Sequence, residues 1–533
     1  MKRWFPVGAL LLLFLVLAFT SALEKGATWD ETHYLGVGTH ILRTGRQDIP
    51  SSLLHPPLGF LLSSAPLFFC RLEKECFVPG PIDDLISGVR RGQCLLRRSE
   101  PSGDRLLLLA RMPTLLCAAG LGLLVFLVAR GLFGDAGGLL ALFLFATNPN
   151  ILAHARLATP DLPLALLAFA AVAAAVPVMR TGGMGRAALA GLLLGLALLC
   201  KFAGLVMVPV VGALLLLPVM IDPAERPEGP RFRFAPRRLL PLFVVSGLAG
   251  LVFLAGFGFD TGAISRGLRA QELIVGEGFP AYLNGEVRQG GFLTYYLQAF
   301  FFKEPLGGLA LLGIGLIVFL RRRPGGWVPA AALLLPPLAV FAAFTLFSRV
   351  NLGLRYVLPA YPFLIVLAGA SGLLVSGGRR LAALVVLPLA LWQGIGTLRL
   401  HPDYLTAFNL LAGGPSGGHR HLVDSNLDWG QDLPALSRYL EKEGIGEIKL
   451  SYFGSDDPAR HGIRYEALPS FVLPEDATPC RAIVPGDVVV VSVTNSKEVF
   501  VSLGALGKEL ARQEPVVCIG NTLRVYRYRR ADE

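Results

Sequence analysis

The chain has 533 residues, a formal net charge of +11, and only 16% charged residues, with a mean hydropathy of +0.58. No single soluble core of this length could hide that much apolar sequence, so the composition excludes an ordinary soluble enzyme. The excess of Arg and Lys is not a nucleic-acid footprint, because it sits in short gaps between apolar runs, where basic residues report membrane topology.

In chain order, Met1-Lys2-Arg3 precedes an apolar run at 4–23 that imitates a signal peptide but reads as an uncleaved first span, since more such runs follow. They lie near 105–130, 136–154, 162–179, 187–200, 202–221, 239–257, 305–320, 327–347, 357–376 and 381–398, each close to the roughly 20 residues needed to cross a bilayer. About eleven spans result. With Lys2-Arg3 inside, the inside gaps carry Arg130; Arg180 and Arg186; Arg226, Arg231, Arg233, Arg237 and Arg238; Arg321-Arg322-Arg323; and Arg379-Arg380. Every one is basic, which predicts a cytoplasmic N-terminus. The outer side then receives a long first loop at 24–104, the stretch 258–304, and everything after about Leu400.

The tail reads as a small α/β unit. Leu433, Leu436 and Leu440 form a helical stripe between Asp432 and Gly446. Ile448–Phe453 and Val488–Val493 look like strands, and Gly520-Asn521 sits as a hairpin turn between Val516–Ile519 and Leu523–Tyr528. The expected division is 1–398 for the membrane part and 399–533 for the soluble extracytoplasmic domain. Seven cysteines fit no zinc spacing, and the odd number excludes complete pairing. Cys480 and Cys518 can be read as a pair or as free thiols.

Polar residues at odds with apolar surroundings fall almost entirely on the outer side. Asp30-Glu31-Thr32-His33-Tyr34 places Asp30, His33 and Tyr34 on one helical face. With Leu35, Gly38, Ile41 and Leu42 opposite, and Gly45 as a stop, it predicts an amphipathic helix at the membrane surface. The alternative for the acids is an ordinary helix cap. In His55-Pro56-Pro57-Leu58-Gly59 the prolines impose an extended approach. Arg156-Leu157-Ala158-Thr159-Pro160-Asp161 is a tight turn whose acid could simply cap the next helix. Lys201 interrupts an apolar stretch too long for one span. Placing it where two short spans meet relieves an insertion cost of about 2.5–3.5 kcal/mol and aims an ammonium at the headgroup region. Lys303-Glu304-Pro305 and Arg349…Arg355 mark further outer span ends, where cations imply something anionic.

These residues resemble a known group of enzymes. Asp30-Glu31-x-His33 followed by His55-Pro56-Pro57-Leu58-Gly59 is similar to the first outer loop of protein O-mannosyltransferases. The Asp-Glu pair, the Thr159-Pro160-Asp161 turn and Lys201 also resemble the aminoarabinose transferases that modify lipid A. Both are membrane-embedded GT-C glycosyltransferases. Asn351-Leu-Gly-Leu-Arg355-Tyr-Val-Leu-Pro-Ala-Tyr-Pro and Asp424-Ser-Asn-Leu-Asp428-Trp429-Gly430-Gln431-Asp432 look like bacterial members of that superfamily. Phe60 stands where eukaryotic protein O-mannosyltransferases have lysine, and no segment resembles their β-trefoil insertion.

The resemblance implies a polytopic α-helical protein of the bacterial inner membrane. It would transfer a sugar, mannose-like or other, with inversion, from a polyprenyl-phosphate donor to a protein, lipid or glycan acceptor. Asp30 would be the general base, with Glu31 and Asp161 as further catalytic carboxylates. His33, His55, Lys201, Lys303 and Arg355 would meet the donor phosphate. Glu31, Asp161, His33 and His55 would shape the site or hold a divalent cation, a role their residue types suit and their spacing does not require. Asp424, Asp428, Trp429 and Gln431 are candidates for acceptor selection. Two other classes compete: a lipid or glycan transporter, and a non-catalytic scaffold.

Overall fold

The computed structural model describes residues 4–47, 49–77, 86–222, 234–376, 380–474 and 477–530. Lys2, Arg3, Arg226, Arg231, Arg233 and Arg379 lie outside the described residues. Among those described, eight helices are long and apolar enough to cross a membrane, or nine if one bent pair counts as a span.

Each expected run falls on helix. The first is α1 (Phe5–Glu24). The short helices α2 (Trp29–Thr44), α3 (Pro57–Ser64) and α4 (Ser87–Arg98) follow within the first loop. Helix α5 (Gly103–Ala146) covers two expected runs, parted at Gly134, whose φ of 72° only glycine adopts without penalty. After α6 (Pro149–Ala155) come α7 (Asp161–Thr181), α8 (Met184–Cys200), α9 (Met207–Met220) and α10 (Leu240–Gly256). Helix α11 (Thr261–Glu277) and the hairpin β1 (Pro280–Leu283) and β2 (Glu286–Gln289) lead to α12 (Tyr295–Lys303) and α13 (Leu306–Arg322), which meet at 109°. The membrane part ends with α14 (Trp327–Leu346), α15 (Tyr361–Gly369), α16 (Gly372–Ser376) and α17 (Arg380–Arg399).

The basic gaps meet one another at one end of the bundle. Arg238 donates to the Met179 carbonyl (2.8 Å), Arg180 to that of Gly325 (2.9 Å), and Arg130 pairs with Asp135 beside the Trp4 ring.

One expectation is corrected here. Helix α2 turns no apolar face outward, since residues 30–41 are all buried within the protein. Its glycine-bearing face packs against α4 too closely for any side chain. A Cβ on Gly36 would stand 1.9 Å from the Gly88 carbonyl oxygen, and one on Gly92 would stand 1.9 Å from that of Thr32. Sequence amphipathicity marked which face was apolar; the covering by α3, α4 and the tail came from contacts distant in sequence.

The tail forms a five-stranded sheet in the order β4-β3-β5-β7-β6, from β3 (Ile448–Ser451), β4 (Tyr465–Ala467), β5 (Val488–Ser492), β6 (Val517–Ile519) and β7 (Leu523–Arg527). Strand β3 runs parallel to β4 and β5, and the remaining pairs are antiparallel. The turn between β6 and β7 holds Gly520 at φ 58° and Asn521 at φ 61°, as a tight hairpin requires. Leu433, Leu436 and Leu440 of the helix Leu433–Glu443 pack on Ile448, Leu450 and Val490 of the sheet. The apolar core of the bundle continues into the tail through Trp429, Phe453 and Val493.

Cys480 and Cys518 are free thiols; the disulfide joins Cys76 to Cys94 in the first loop.

Candidate functional site

The site begins at the start of α2. Thr28 and Glu31 form a capping box, so the helix starts at a fixed point and presents Asp30, His33 and Tyr34 on one face. The Asp30 carboxylate pairs with the guanidinium of Arg355. Arg355 stands in the 3-10 segment Leu354–Ala360, whose first N–H donates to Asn426 Oδ1 of the tail (2.9 Å). Its guanidinium lies 4.5 Å from the centroid of Trp429 and 5.4 Å from that of Tyr356, which suits a cation over an aromatic face.

A second ion pair also lies beside Tyr356. Lys201 occupies the extended residue between α8 and the turn leading to α9, the break expected of it. Its ammonium donates to Asp161 Oδ1 (2.8 Å) and stands 4.5 Å from the Tyr356 centroid. The 156–161 turn that delivers Asp161 is held by Ala158 N–H donating to Glu31 (2.8 Å) and by Thr114 Oγ1 donating to the Thr159 carbonyl (3.2 Å). Gly59 packs on the Cys200 carbonyl, where a Cβ would come within 2.3 Å, so the His55–Gly59 motif lies against the chain just before Lys201.

His55 is extended, as its prolines require. Its ring stacks on Tyr34 (centroids 5.6 Å apart, planes 9° apart), and His33 packs edge-on to Phe60 at 5.4 Å. Burial holds the His33 imidazole down to about 4, with Asp30 offsetting only part of the effect. Burial also pushes His55 well down, assisted by the positive charge of Lys201. Both rings are therefore neutral at pH 7. His33 Nε2, Tyr34 Oη, His55 Nδ1, Asp161 Oδ2 and Arg355 Nε are buried and meet no hydrogen-bonding partner. Buried polar atoms are rarely left so, and their concentration around two ion pairs marks a place built to receive a polar ligand.

The other candidates are placed differently. Glu31 is fully occupied: Arg111 Nε and one terminal nitrogen each donate to it at 2.8 Å, with the N–H groups of Thr28 and Ala158 completing its shell. Burial alone would raise its carboxyl, but Arg111 and these hydrogen bonds outweigh it and hold the pKa below the ordinary carboxylate range. Lys303 donates to the carbonyls of Leu405 (2.9 Å), Ala407 (3.1 Å) and Asn426 (2.5 Å), apart from the two ion pairs.

In the tail, Asp428 accepts from Ser492 Oγ (2.7 Å) and Thr494 N–H (2.9 Å). Gln431 folds back on its own loop, donating to the Leu427 carbonyl and accepting from Trp429 N–H. Asp424 sits in the fields of Arg355 and Asp30, and burial raises its carboxyl to about 7. Trp429 is thus a wall of the site, while Asp428 and Gln431 hold the loop that carries it.

Among the described residues no three His, Cys, Asp or Glu side chains come together as a metal-ligand set. Asp30 and Asp161 each face a cation, and the imidazoles face aromatic rings. The residues present therefore do not fit the divalent cation that their types suggested.

Sequence reasoning passed over Tyr356 and Arg111. For Arg111 the signal was available, as an arginine within an apolar run. For Tyr356 only its place beside Arg355 could have pointed to it.

A family model described as dolichyl-phosphate-mannose-protein mannosyltransferase matches residues 103–222, the stretch that contains Asp161 and Lys201. No curated protein matches the chain. Among solved structures, the apo state of ArnT from Cupriavidus metallidurans is 14% identical, with 97% of each chain covered and a TM-score of 0.50. The archaeal oligosaccharyltransferase AglB from Archaeoglobus fulgidus, in complex with an inhibitory peptide and a dolichol-phosphate, is also 14% identical. That match covers 74% of this chain and 56% of AglB, with a TM-score of 0.42. The sequence likeness is thus to a mannosyltransferase family model over residues 103–222, and the likeness to ArnT over nearly the whole chain is one of overall fold.

Proposed function

We propose that the chain is an inverting glycosyltransferase that moves a sugar from a polyprenyl-phosphate carrier to a hydroxyl acceptor at the outer face of the membrane. The observation that carries this reading is the pair of buried carboxylate–cation bridges, Asp30–Arg355 and Asp161–Lys201, both beside Tyr356. Arg355 Nε has no partner, and Lys201 has one hydrogen bond to a carboxylate for its three donors. Both cations are already buried, so a phosphate arriving there meets positive charge whose desolvation the fold has already met.

In the reaction, phosphate on Arg355 and Lys201 releases Asp30 from its bridge. The acceptor oxygen attacks the anomeric carbon opposite the phosphate, and its proton passes to the Asp30 carboxylate. The new bond from anomeric carbon to acceptor oxygen forms as the bond to phosphate oxygen breaks. The departing polyprenyl phosphate gains one negative charge, which Arg355 and Lys201 stabilise. Asp161 orients Lys201. Glu31 and Lys303 act at a distance, the first fixing the start of α2 and the second fixing residues 405–426.

The outer-face placement rests on two features. The basic gaps gather at one end of the bundle, as cytoplasmic ends do. The Cys76–Cys94 disulfide lies in the first loop and suits an oxidising compartment. The tail, residues 399–533, would lie on that outer side and close the site with Trp429. Its other surfaces are the place to look for acceptor selection.

The test is transfer from radiolabelled polyprenyl-phosphate sugars by membranes overexpressing the chain, beside an Asp30→Asn control. Label reaching a new acceptor only with the wild type supports the reading and identifies both substrates. With verified expression, a broad donor panel and native acceptors present, no transfer above the control sinks it in favour of transport or scaffolding.

A further inference from the structure

We propose that His33, Tyr34 and His55 form a sugar subsite that reads the ring hydroxyls of an uncharged glycosyl donor, leaving the carrier phosphate to Arg355 and Lys201. This rests on the transferase reading above and assigns the histidines away from the phosphate. Three observations support it.

The first is placement. His33 and Tyr34 lie one helical turn beyond Asp30 on the same face, and His55 is stacked on Tyr34. A sugar whose anomeric carbon lies between Asp30 and the phosphate would extend its ring toward this group. The second is hydrogen-bonding capacity. His33 Nε2, Tyr34 Oη and His55 Nδ1 are buried without partners. A phenol and two imidazoles both donate and accept, which matches the hydroxyl group. The third is charge. A neutral imidazole adds no countercharge for a phosphate, and burial keeps both rings neutral. The carboxylates of the two ion pairs, Asp30 and Asp161, face Arg355 and Lys201. Phe60, buried against all three rings, gives the subsite an apolar floor of the kind that pockets for polar ligands use around a few oriented polar groups.

The experiment measures equilibrium binding to the full chain in nanodiscs. The probes are a short-chain polyprenyl phosphate and the same carrier bearing mannose, glucose, galactose or 4-amino-4-deoxyarabinose. Tyr34→Phe and His55→Phe keep the ring packing and remove polar atoms. Each should weaken the favoured neutral-sugar carrier about three- to tenfold, the worth of one hydrogen bond to an uncharged group. Each should change binding of the bare carrier less than about twofold. Lys201→Met should weaken bare and glycosylated carriers alike. If both ring variants weaken the two carriers equally, or leave both unchanged, the subsite is overturned while the transferase reading stands. Preference for the amino sugar overturns it in the same way. If the wild type binds neither the bare carrier nor any glycosylated one, the transferase reading fails and the subsite with it. Melting curves on each variant identify a misfolded one, and the other variant then supplies the readout.

Discussion

Asp30 and Glu31 are neighbours in the chain and opposites in the structure. Glu31 is saturated, taking two hydrogen bonds from Arg111 and two from backbone N–H groups. Arg111 in turn donates to the carbonyls of Ala22, Lys25 and Gly26. Asp30 meets one guanidinium and looks onto a group of buried polar atoms that meet nothing. Both acids are buried and both are paired with arginine, so burial and pairing alone do not distinguish them. What distinguishes them is unused hydrogen-bonding capacity nearby: a completed shell holds the fold, and an incomplete one waits for a ligand.

The largest expected effect is on the incomplete side. Asp30→Asn should lower the transfer rate about 10²- to 10⁴-fold, the contribution of a positioned general base, with Tm lowered less than by Arg111→Met because the amide oxygen can still accept from Arg355. A variant that instead melts early would put Asp30 on the structural side of the comparison. Arg111→Met tests the other side. Leaving Glu31 buried without its partner should cost about 3–5 kcal/mol of stability, read as a lower Tm and yield, with near-normal activity per folded molecule. A stable but inactive protein would reverse the assignment. Lys201→Met should reduce transfer about 10²-fold by removing one donor from the departing phosphate, and equal rates for the two proteins would exclude Lys201 from that role.

A smaller effect concerns pH. Burial raises the Asp428 carboxyl to about 7 from an ordinary 3.8. Its contribution to stability is therefore full below the ordinary value and is lost as pH rises through about 7. Asp428→Asn should flatten the fall of Tm across that window, and parallel profiles would refute the assignment. His33 has the opposite sign. Depressed to about 4 from 6.5, its contribution is present above 6.5 and lost as pH falls toward 4.

Much of this arrangement was legible in the sequence. Apolar runs separated by arginines located the helices because hydrocarbon demands unbroken apolar length. Lys201 could be placed at a helix break because its charge would not otherwise be tolerated. The helix Leu433–Glu443 and the Gly520-Asn521 turn follow from local periodicity and backbone freedom. Three-dimensional proximity was harder to read. Nothing within Asp30-Glu31 says which acid takes Arg111 and which takes Arg355, because both partners come from elsewhere in the chain. Lys303 looked like a phosphate ligand because a cation near an outer span end suggests an anion. The three carbonyls that occupy it all belong to the tail. Trp429 looked like an acceptor contact because the tail read as separate, whereas its ring lies against Arg355.

The docking of that tail has a consequence for how the protein comes into being. Gly26 N–H bonds to the Gln431 carbonyl, Trp29 N–H to that of Trp429, and Lys25 to Asp432. The start of the first loop is thus completed by partners such as Asp432, 407 residues further along the chain than Lys25. A ribosome-bound chain with every span inserted but its tail unfinished would hold Asp30 and Lys201 yet lack the aromatic wall behind Arg355. On the transferase reading proposed above, a chain cut before Trp429 would therefore be an inactive one, however well its spans were inserted.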